Sequence, residues 1–381
     1  MRVMISCAEA SGDLYAGDLA REILAREPTA KISGFGGARL RAAGARLVGD
    51  FHGLSVTGLS EALRVVPRSW TMLRRIVAQA KARRPDVFVA IDAPDFNFRL
   101  LRAMRKLGIP VVYYISPQLW AWRPGRMKTM QKLVDRVLVI FPFEEQLYKR
   151  AGVDVQFVGH PLVDLAKATV PRETFLAMHG LEPFAPTVAL LPGSRRNELA
   201  RILPDLAAAV PLIRQRMPGV QFLVACAPGL DERLFSGFGA GTPGAPVLVR
   251  DATDDVIAAS DVVVTASGTA TLQTALHGRP MVVVYRLSRL TYLTKPFALV
   301  DMYAMPNLIA GRRIVPELIQ GGFTPARVAE ETLQFLTVPQ RYATVRGALA
   351  DVRAQLGEPG ASGRAAEAVI DVARRAMVTN V

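Results

Sequence analysis

No apolar run in this sequence reaches the ~18 residues that a membrane-crossing helix requires, so a helical membrane span is excluded from the reading. Cysteine is nearly absent. Cys7 and Cys226 lie far apart in the chain, which leaves reduced thiols rather than a disulfide framework as the expectation. The four histidines show no paired spacing and give no metal site. Met1 to Ala8 is too short for the apolar core of a signal peptide and runs at once into Glu9. It reads as a first strand, and the protein as cytoplasmic. Two fingerprints are missing as well. Gly34, Gly36 and Gly37 end a strand without completing the dinucleotide pattern, so no nicotinamide cofactor is argued, and no Walker lysine pattern occurs. Basic residues are not interleaved with stacking aromatics and no nucleic-acid motif appears, which argues against DNA or RNA as a partner.

What is present is an alternation of apolar strands and helices. Half of the 381 residues are hydrophobic, and the formal net charge is +14. The length suggests two domains. A basic balance without a nucleic-acid signature leaves an anionic membrane surface to weigh. The strand–helix alternation runs twice, over 1–165 and 166–340. It predicts an α/β fold of two doubly wound Rossmann-like domains facing a central cleft. Helices over 341–381 are expected to pack back on the first domain or on a partner chain, which leaves a homodimer open.

Residues 261–285 form the most complete unit. The strand Val262–Val264 meets a small-residue turn, Ser267-Gly268-Thr269, and then a helix from Ala270 to Leu276. Free backbone N–H groups and the helix dipole make such a turn a place for an anion. The same design recurs after the strand Val188–Leu191, where Pro192-Gly193-Ser194-Arg195-Arg196 opens a helix. An arginine forks onto phosphate oxygens, so this turn suits a pyrophosphate. The buried strand Val87–Ile91 runs into Asp92-Ala93-Pro94-Asp95, two carboxylates at a strand's carboxyl end. One suits a general base and the other a helix cap, and a turn with no chemistry is the plainer alternative. Asn307, between Pro306 and an apolar turn, suits base or ribose recognition because its amide donates and accepts. Ser11 or Asp13 is a cap candidate for a helix from Leu14, or part of a substrate-facing loop. Along Leu54–Arg84, Leu63, Val66, Trp70, Leu73 and Val77 recur at helical spacing beside Arg64, Arg68, Arg74 and Arg75. That stretch is either a core helix with a solvated basic face or an apolar, cationic patch for a lipid or membrane.

Eight motifs in one order, AEASGDLYAG, GFGGARL, IDAPDFN, YYISPQLWAW, FVGHPLVD, LLPGSRRNEL, ASGTATL and MPNLIAGR, span nearly the whole chain. Each alone is weak, but the ordered set resembles the lipid-A-disaccharide synthases, glycosyltransferases of the GT-B fold. The resemblance implies transfer from UDP-2,3-diacylglucosamine to 2,3-diacylglucosamine 1-phosphate. The products would be a β-1′,6-linked disaccharide 1-phosphate and UDP, in lipid A synthesis at the cytoplasmic face of the inner membrane. It implies a membrane-peripheral enzyme with no cofactor or bound metal. Carried onto this chain, Asp92 is the base. Ser194, Arg195, Ser267, Gly268, Thr269, Gln273 and Asn307 bind the UDP-sugar. Glu9, Ser11, Gly12, Asp13 and Gln118 line the cleft, and Leu63, Arg64, Val66, Arg68, Trp70, Leu73 and Arg74 meet lipid. The family usually has Glu where this chain has Gln273, which costs a charge-assisted bond to a ribose hydroxyl. The alternatives are a UDP-sugar 2-epimerase of the same fold, which needs no lipid patch, and a non-catalytic UDP-sugar-binding protein.

Overall fold

The structure, a computed structural model, describes residues 1–51, 59–117, 124–239, 244–286 and 302–379, with the side chains of 59–66, 124 and 379 outside the description. The chain divides into two units. The first takes Met1–Pro161 and the stretch from Leu356 onward; the second takes the chain from Leu162 to Gln355 as far as it is described.

The first unit is built on a seven-stranded sheet in the order β3-β2-β1-β4-β5-β6-β7. Its strands are β1 (Arg2–Cys7), β2 (Lys31–Gly36), β3 (Arg46–Asp50), β4 (Val87–Ile91), β5 (Val111–Tyr114), β6 (Arg136–Val139) and β7 (Val155–Phe157). The second unit has six, in the order β10-β9-β8-β11-β12-β13. These are β8 (Thr187–Leu191), β9 (Gln221–Cys226), β10 (Val247–Arg250), β11 (Val262–Ala266), β12 (Met281–Tyr285) and β13 (Glu317–Ile319). Neighbouring strands pair in parallel throughout, for example β1 with β4 and β8 with β11. Parallel strands covered on both faces should be apolar without alternation. Accordingly β4, β8 and β11 are buried at every residue.

Helices cover the first sheet. α1 (Ala10–Arg26), α2 (Ala38–Ala42), α3 (Leu59–Ala82) and α4 (Pro94–Lys106) follow β1 to β4. One core joins Met72, Leu73, Ile76 and Ala80 of α3 to Phe35, Phe88, Leu101, Met104 and Tyr113. The last helix, Ala361–Thr379, returns to this unit. There Glu367 pairs with Arg26 of α1 at 3.1 Å, and Asp371 pairs with Arg136 of β6 at 3.0 Å. The helix Pro339–Gln355, by contrast, belongs to the second unit, so the chain crosses at Leu356 rather than at 341.

Both strand orders carry a switch point. In the first sheet β2 lies on one side of β1 and β4 on the other; in the second, β9 and β11 flank β8 in the same way. Where connections leave two neighbouring strands in opposite directions, a crevice opens beyond their carboxyl ends. The residues after β1 and β4, and after β8 and β11, therefore stand at these crevices.

Candidate active site

At the first switch point β4 ends at Ile91 and the chain turns through Asp92 and Ala93, both left-handed at φ 47° and 45°. Such backbone costs a non-glycine residue about 1–3 kcal/mol and tends to be kept at functional sites. Ile115, at the end of neighbouring β5, is left-handed too, with φ 59°. The Asp92 carbonyl accepts from Asn97 Nδ2 at 2.8 Å and from the Tyr113 hydroxyl at 2.7 Å. Burial, and then the Asp92 charge, push the Tyr113 phenol well above its ordinary value. Tyr15 of α1 is raised as well, by burial first and then by Tyr114 and Asp92. Asp92 thus sits in a corner rich in buried phenols. Asp95 is left on the exposed side, paired with Arg126 at 2.8 Å.

The residues after β1 differ from expectation. α1 starts at Ala10, not Leu14, with Glu9 as an N-cap whose side chain makes no capping bond. Ser11 and Gly12 therefore lie in its first turn, as does Asp13. A Cβ on Gly12 would sit 3.2 Å from Cys7 Cβ, so this glycine serves close packing of α1 on β1. Asp13 was expected to line a cleft and instead is buried. Its carboxylate accepts from the backbone N–H groups of Gly37 at 2.7 Å, Arg39 at 2.9 Å and Leu40 at 3.1 Å. It caps α2 and tethers the glycine-rich loop, because a buried carboxylate needs donors and three amides of a helix start supply them. Gln118 lies outside the described residues.

At the second switch point the turns after β8 and β11 stand side by side. Gly193 has φ 115°, a backbone that strains any residue with a side chain, and a Cβ there would come within 2.9 Å of Glu198 Oε2. Ser194 is exposed. Arg195 is the N-cap of the helix Arg196–Arg216, and its Nη1 donates to Glu198 Oε1 at 3.3 Å. Tyr285, at the end of β12, feels the same group: burial and then Glu198 raise its phenol, while Arg195 and Arg201 lower it. After β11, Ser267 donates its hydroxyl proton to the Tyr303 carbonyl at 2.8 Å. Gly268, with φ 149°, caps the helix Thr269–Leu276, and nothing lies within 4 Å of where its Cβ would be. An uncluttered glycine before a helix start lets an anion approach the backbone N–H groups there closely.

Two residues assigned to the nucleotide also have partners within the protein. Asn307 is fully buried. Its Nδ2 donates to Val315 O at 3.0 Å and Glu317 Oε1 at 2.8 Å, and its Oδ1 accepts from the N–H groups of Ile314 and Val315. An amide has two donors and two lone pairs, and all four are used. Its side chain therefore holds residues 314–317 rather than a nucleotide. Glu317 in turn accepts from the N–H groups of Tyr303 and Ala304. Gln273 turns its Nε2 to Asp254, 3.2 Å from Oδ2, and the same carboxylate meets His277 Nε2 at 2.9 Å. Sequence reasoning missed Glu198, Asp254 and Glu317, although Glu198 stands one turn into the helix that Arg195 opens.

On α3, Arg68, Trp70 and Arg74 are exposed, with Trp70 at 51% and the Arg99 guanidinium 5.7 Å from its ring. Leu73 is not part of that patch. It is 7% exposed and packs in the core with Met72 and Ile76. The side chains of Leu63, Arg64 and Val66 lie outside the description. No helix among the described residues is long and apolar enough to cross a membrane.

Two parallel doubly wound sheets, each with its polar turns at the switch point, define the GT-B fold. Solved structures agree on the fold. The UDP-GlcNAc 2-epimerase from Neisseria meningitidis bound to UDP-GlcNAc matches with a TM-score of 0.67 at 13% identity, over 97% of this chain and 100% of that one. The glycosyltransferase of kitacinnamycin matches at 0.63 and 17%, over 97% and 98%. The family model described as lipid-A-disaccharide synthetase matches residues 3–371. The lipid-A-disaccharide synthase of Myxococcus xanthus (strain DK1622) is 43% identical over 97% of each chain. That of Syntrophus aciditrophicus (strain SB) is 44% identical over 96% of each. The chain belongs to the lipid-A-disaccharide synthase family and is a glycosyltransferase of lipid A biosynthesis. The epimerase alternative is not favoured, since those proteins share the fold at low identity while the synthases share the sequence.

Proposed function

We propose that the enzyme joins UDP-2,3-diacylglucosamine to 2,3-diacylglucosamine 1-phosphate with inversion, and that its two switch points divide the work. The observation that carries this is the coincidence of the family's motif residues with both crevices: Asp92 at one, Arg195 and Ser267–Thr269 at the other. In the second unit the donor diphosphate lies against the Gly268–Thr269 backbone and the Arg195 guanidinium. These fixed donors stabilise the charge that develops as UDP leaves. In the first unit Asp92 takes the proton from the acceptor's 6-hydroxyl. The oxygen attacks the anomeric carbon from the face opposite UDP, the bond to the diphosphate oxygen breaks, and that oxygen keeps the electron pair. The transition state has oxocarbenium character, as in other glycosyl transfers. Trp70, Arg68 and Arg74 rest on an anionic membrane surface, where the acylated substrates reside.

The test is direct. Purified protein given both acylated sugars should release UDP and a disaccharide 1-phosphate. Asp92→Asn should lower kcat by about 10²–10⁴-fold with an unchanged circular-dichroism spectrum. Absence of disaccharide with the wild-type chain overturns the reaction, and a fully active Asp92→Asn overturns the base.

A further inference from the structure

Two successive left-handed residues with side chains do not hold themselves. The Cβ of each clashes with its own backbone in that conformation, so something outside must keep Asp92 and Ala93 there. The parallel register of β4 with β5 ends at Ile91↔Tyr114, and beyond it the sheet offers only one long bond, from the Asp92 N–H to Tyr114 O at 3.3 Å. The rest of the hold comes from side chains on two strands and a helix. Tyr113 of β5 and Asn97 of α4 both donate to the Asp92 carbonyl, which fills its two lone pairs. Asn97 is fully buried and fixed in turn: its Oδ1 accepts from Ser6 Oγ of β1 at 2.8 Å, and its Nδ2 also reaches Ile91 O of β4 at 3.1 Å. The Tyr113 ring is fully buried beside Phe98, centroids 6.2 Å apart. Its phenol is lifted far from ionisation, so it stays a donor at any working pH.

Buried hydrogen bonds to a backbone carbonyl usually serve stability alone. Here the carbonyl belongs to the residue whose own carboxylate is assigned to the reaction. The Asp92 N–H on Tyr114 O sets the peptide plane before the residue and the saturated carbonyl sets the plane after it; together they fix φ and ψ, and with them the direction of the Cα–Cβ bond. We propose that Tyr113 and Asn97 are positioning residues for glycosyl transfer, saturating the Asp92 carbonyl to lock the left-handed corner and so aim the carboxylate at the acceptor hydroxyl. This rests on Asp92 being the base. It adds that the base works only from a strained backbone that the neighbouring strands impose.

The experiment is steady-state kinetics on the full chain with both acylated sugars. The set comprises wild type, Asp92→Asn, Tyr113→Phe and Tyr113→Phe combined with Ala93→Gly. Tyr113→Phe keeps the ring and removes one bond to the carbonyl. A misplacement of about 1 Å costs on the order of 10²-fold, so kcat should fall by about 10–100-fold. Both KM values should stay within about twofold, because binding of neither substrate is touched. Glycine enters the left-handed region without a Cβ penalty, so adding Ala93→Gly should restore kcat several-fold. An unchanged kcat in Tyr113→Phe beside an inactive Asp92→Asn overturns the positioning role and leaves the base standing. Loss of kcat with no recovery on adding Ala93→Gly also overturns it. A fully active Asp92→Asn overturns the base assignment itself, whatever Tyr113→Phe does. Should Tyr113→Phe not fold, Ser6→Ala loosens Asn97 from the other side: lowered kcat at constant KM supports the lock, and unchanged kcat refutes it.

Discussion

His160 closes the first unit with its imidazole between Tyr15, 6.0 Å away edge-on, and Phe141 at 5.6 Å. Burial pushes its pKa down to about 3. The unfolded chain titrates near 6.5, so between those values the unfolded state binds more protons than the folded one. Stability therefore falls as pH drops through that window, by about 2 kcal/mol at pH 5 relative to pH 7.5. Urea unfolding at both pH values should show this loss, and His160→Phe should flatten it. Gln273 gives a second residue-level outcome. Its amide donates to Asp254, so Gln273→Glu sets two carboxylates face to face. That should cost about 1–2 kcal/mol in urea melts at pH 8. Adding Asp254→Asn should remove the loss, as coupled neighbours do. In this chain the carboxylate at that corner is Asp254. The sequence marks Asp13, Asn307 and Gln273 as polar residues beside a site, yet their partners come from other elements. Asp13 reaches an amide 27 residues on, at Leu40, and no local pattern announces that.

At the scale of elements, α3 shows the same boundary of legibility. Its helical spacing is plain in the sequence, but spacing gives a stripe without saying what the stripe meets. Leu73 and Trp70 stand three apart and read as one patch; one faces the core and the other water. Leu73→Ala should therefore cost about 2–5 kcal/mol as a core truncation, measured by urea unfolding. Trp70→Ala should leave the unfolding midpoint nearly unchanged and weaken co-sedimentation with anionic vesicles. Equal stability losses in the two variants would contradict this division. The strands were readable throughout the centre of both sheets because burial on two faces writes a continuous apolar run. The turns that follow were readable because only small residues fit them. The start of α1 was not: Ser11, Gly12 and Asp13 look like a turn, and they enter the helix because Gly12 lets it close on Cys7.

At the scale of the molecule, the first unit is finished by the last part of the chain. Gly357 and Gly360 are left-handed, and the Arg364 side chain grips the carbonyls of Val158, Glu358 and Pro359, at 2.9, 2.7 and 2.7 Å. The His160 N–H also reaches Leu356 O at 2.8 Å. Along the returning helix Ala365, Ala366, Val369 and Ala373 are fully buried. A chain ending at Gln355 should leave α1 unprotected while the second sheet stays intact. Hydrogen exchange read by mass spectrometry should show fast exchange in β1, β4 and α1 and slow exchange in β8 and β11. Protection of α1 in the truncated chain would refute the dependence.

The same arrangement bears on birth at the ribosome. The opening 161 residues emerge first, yet they lack the helix that covers one side of their sheet. Roughly 200 further residues must be made before it appears, which takes on the order of 10–40 s at ordinary elongation rates. The later half has all its strands in hand by then. Folding order should run against synthesis order, with a nascent amino-terminal half that exposes α1 and invites chaperones until the helix Ala361–Thr379 has emerged.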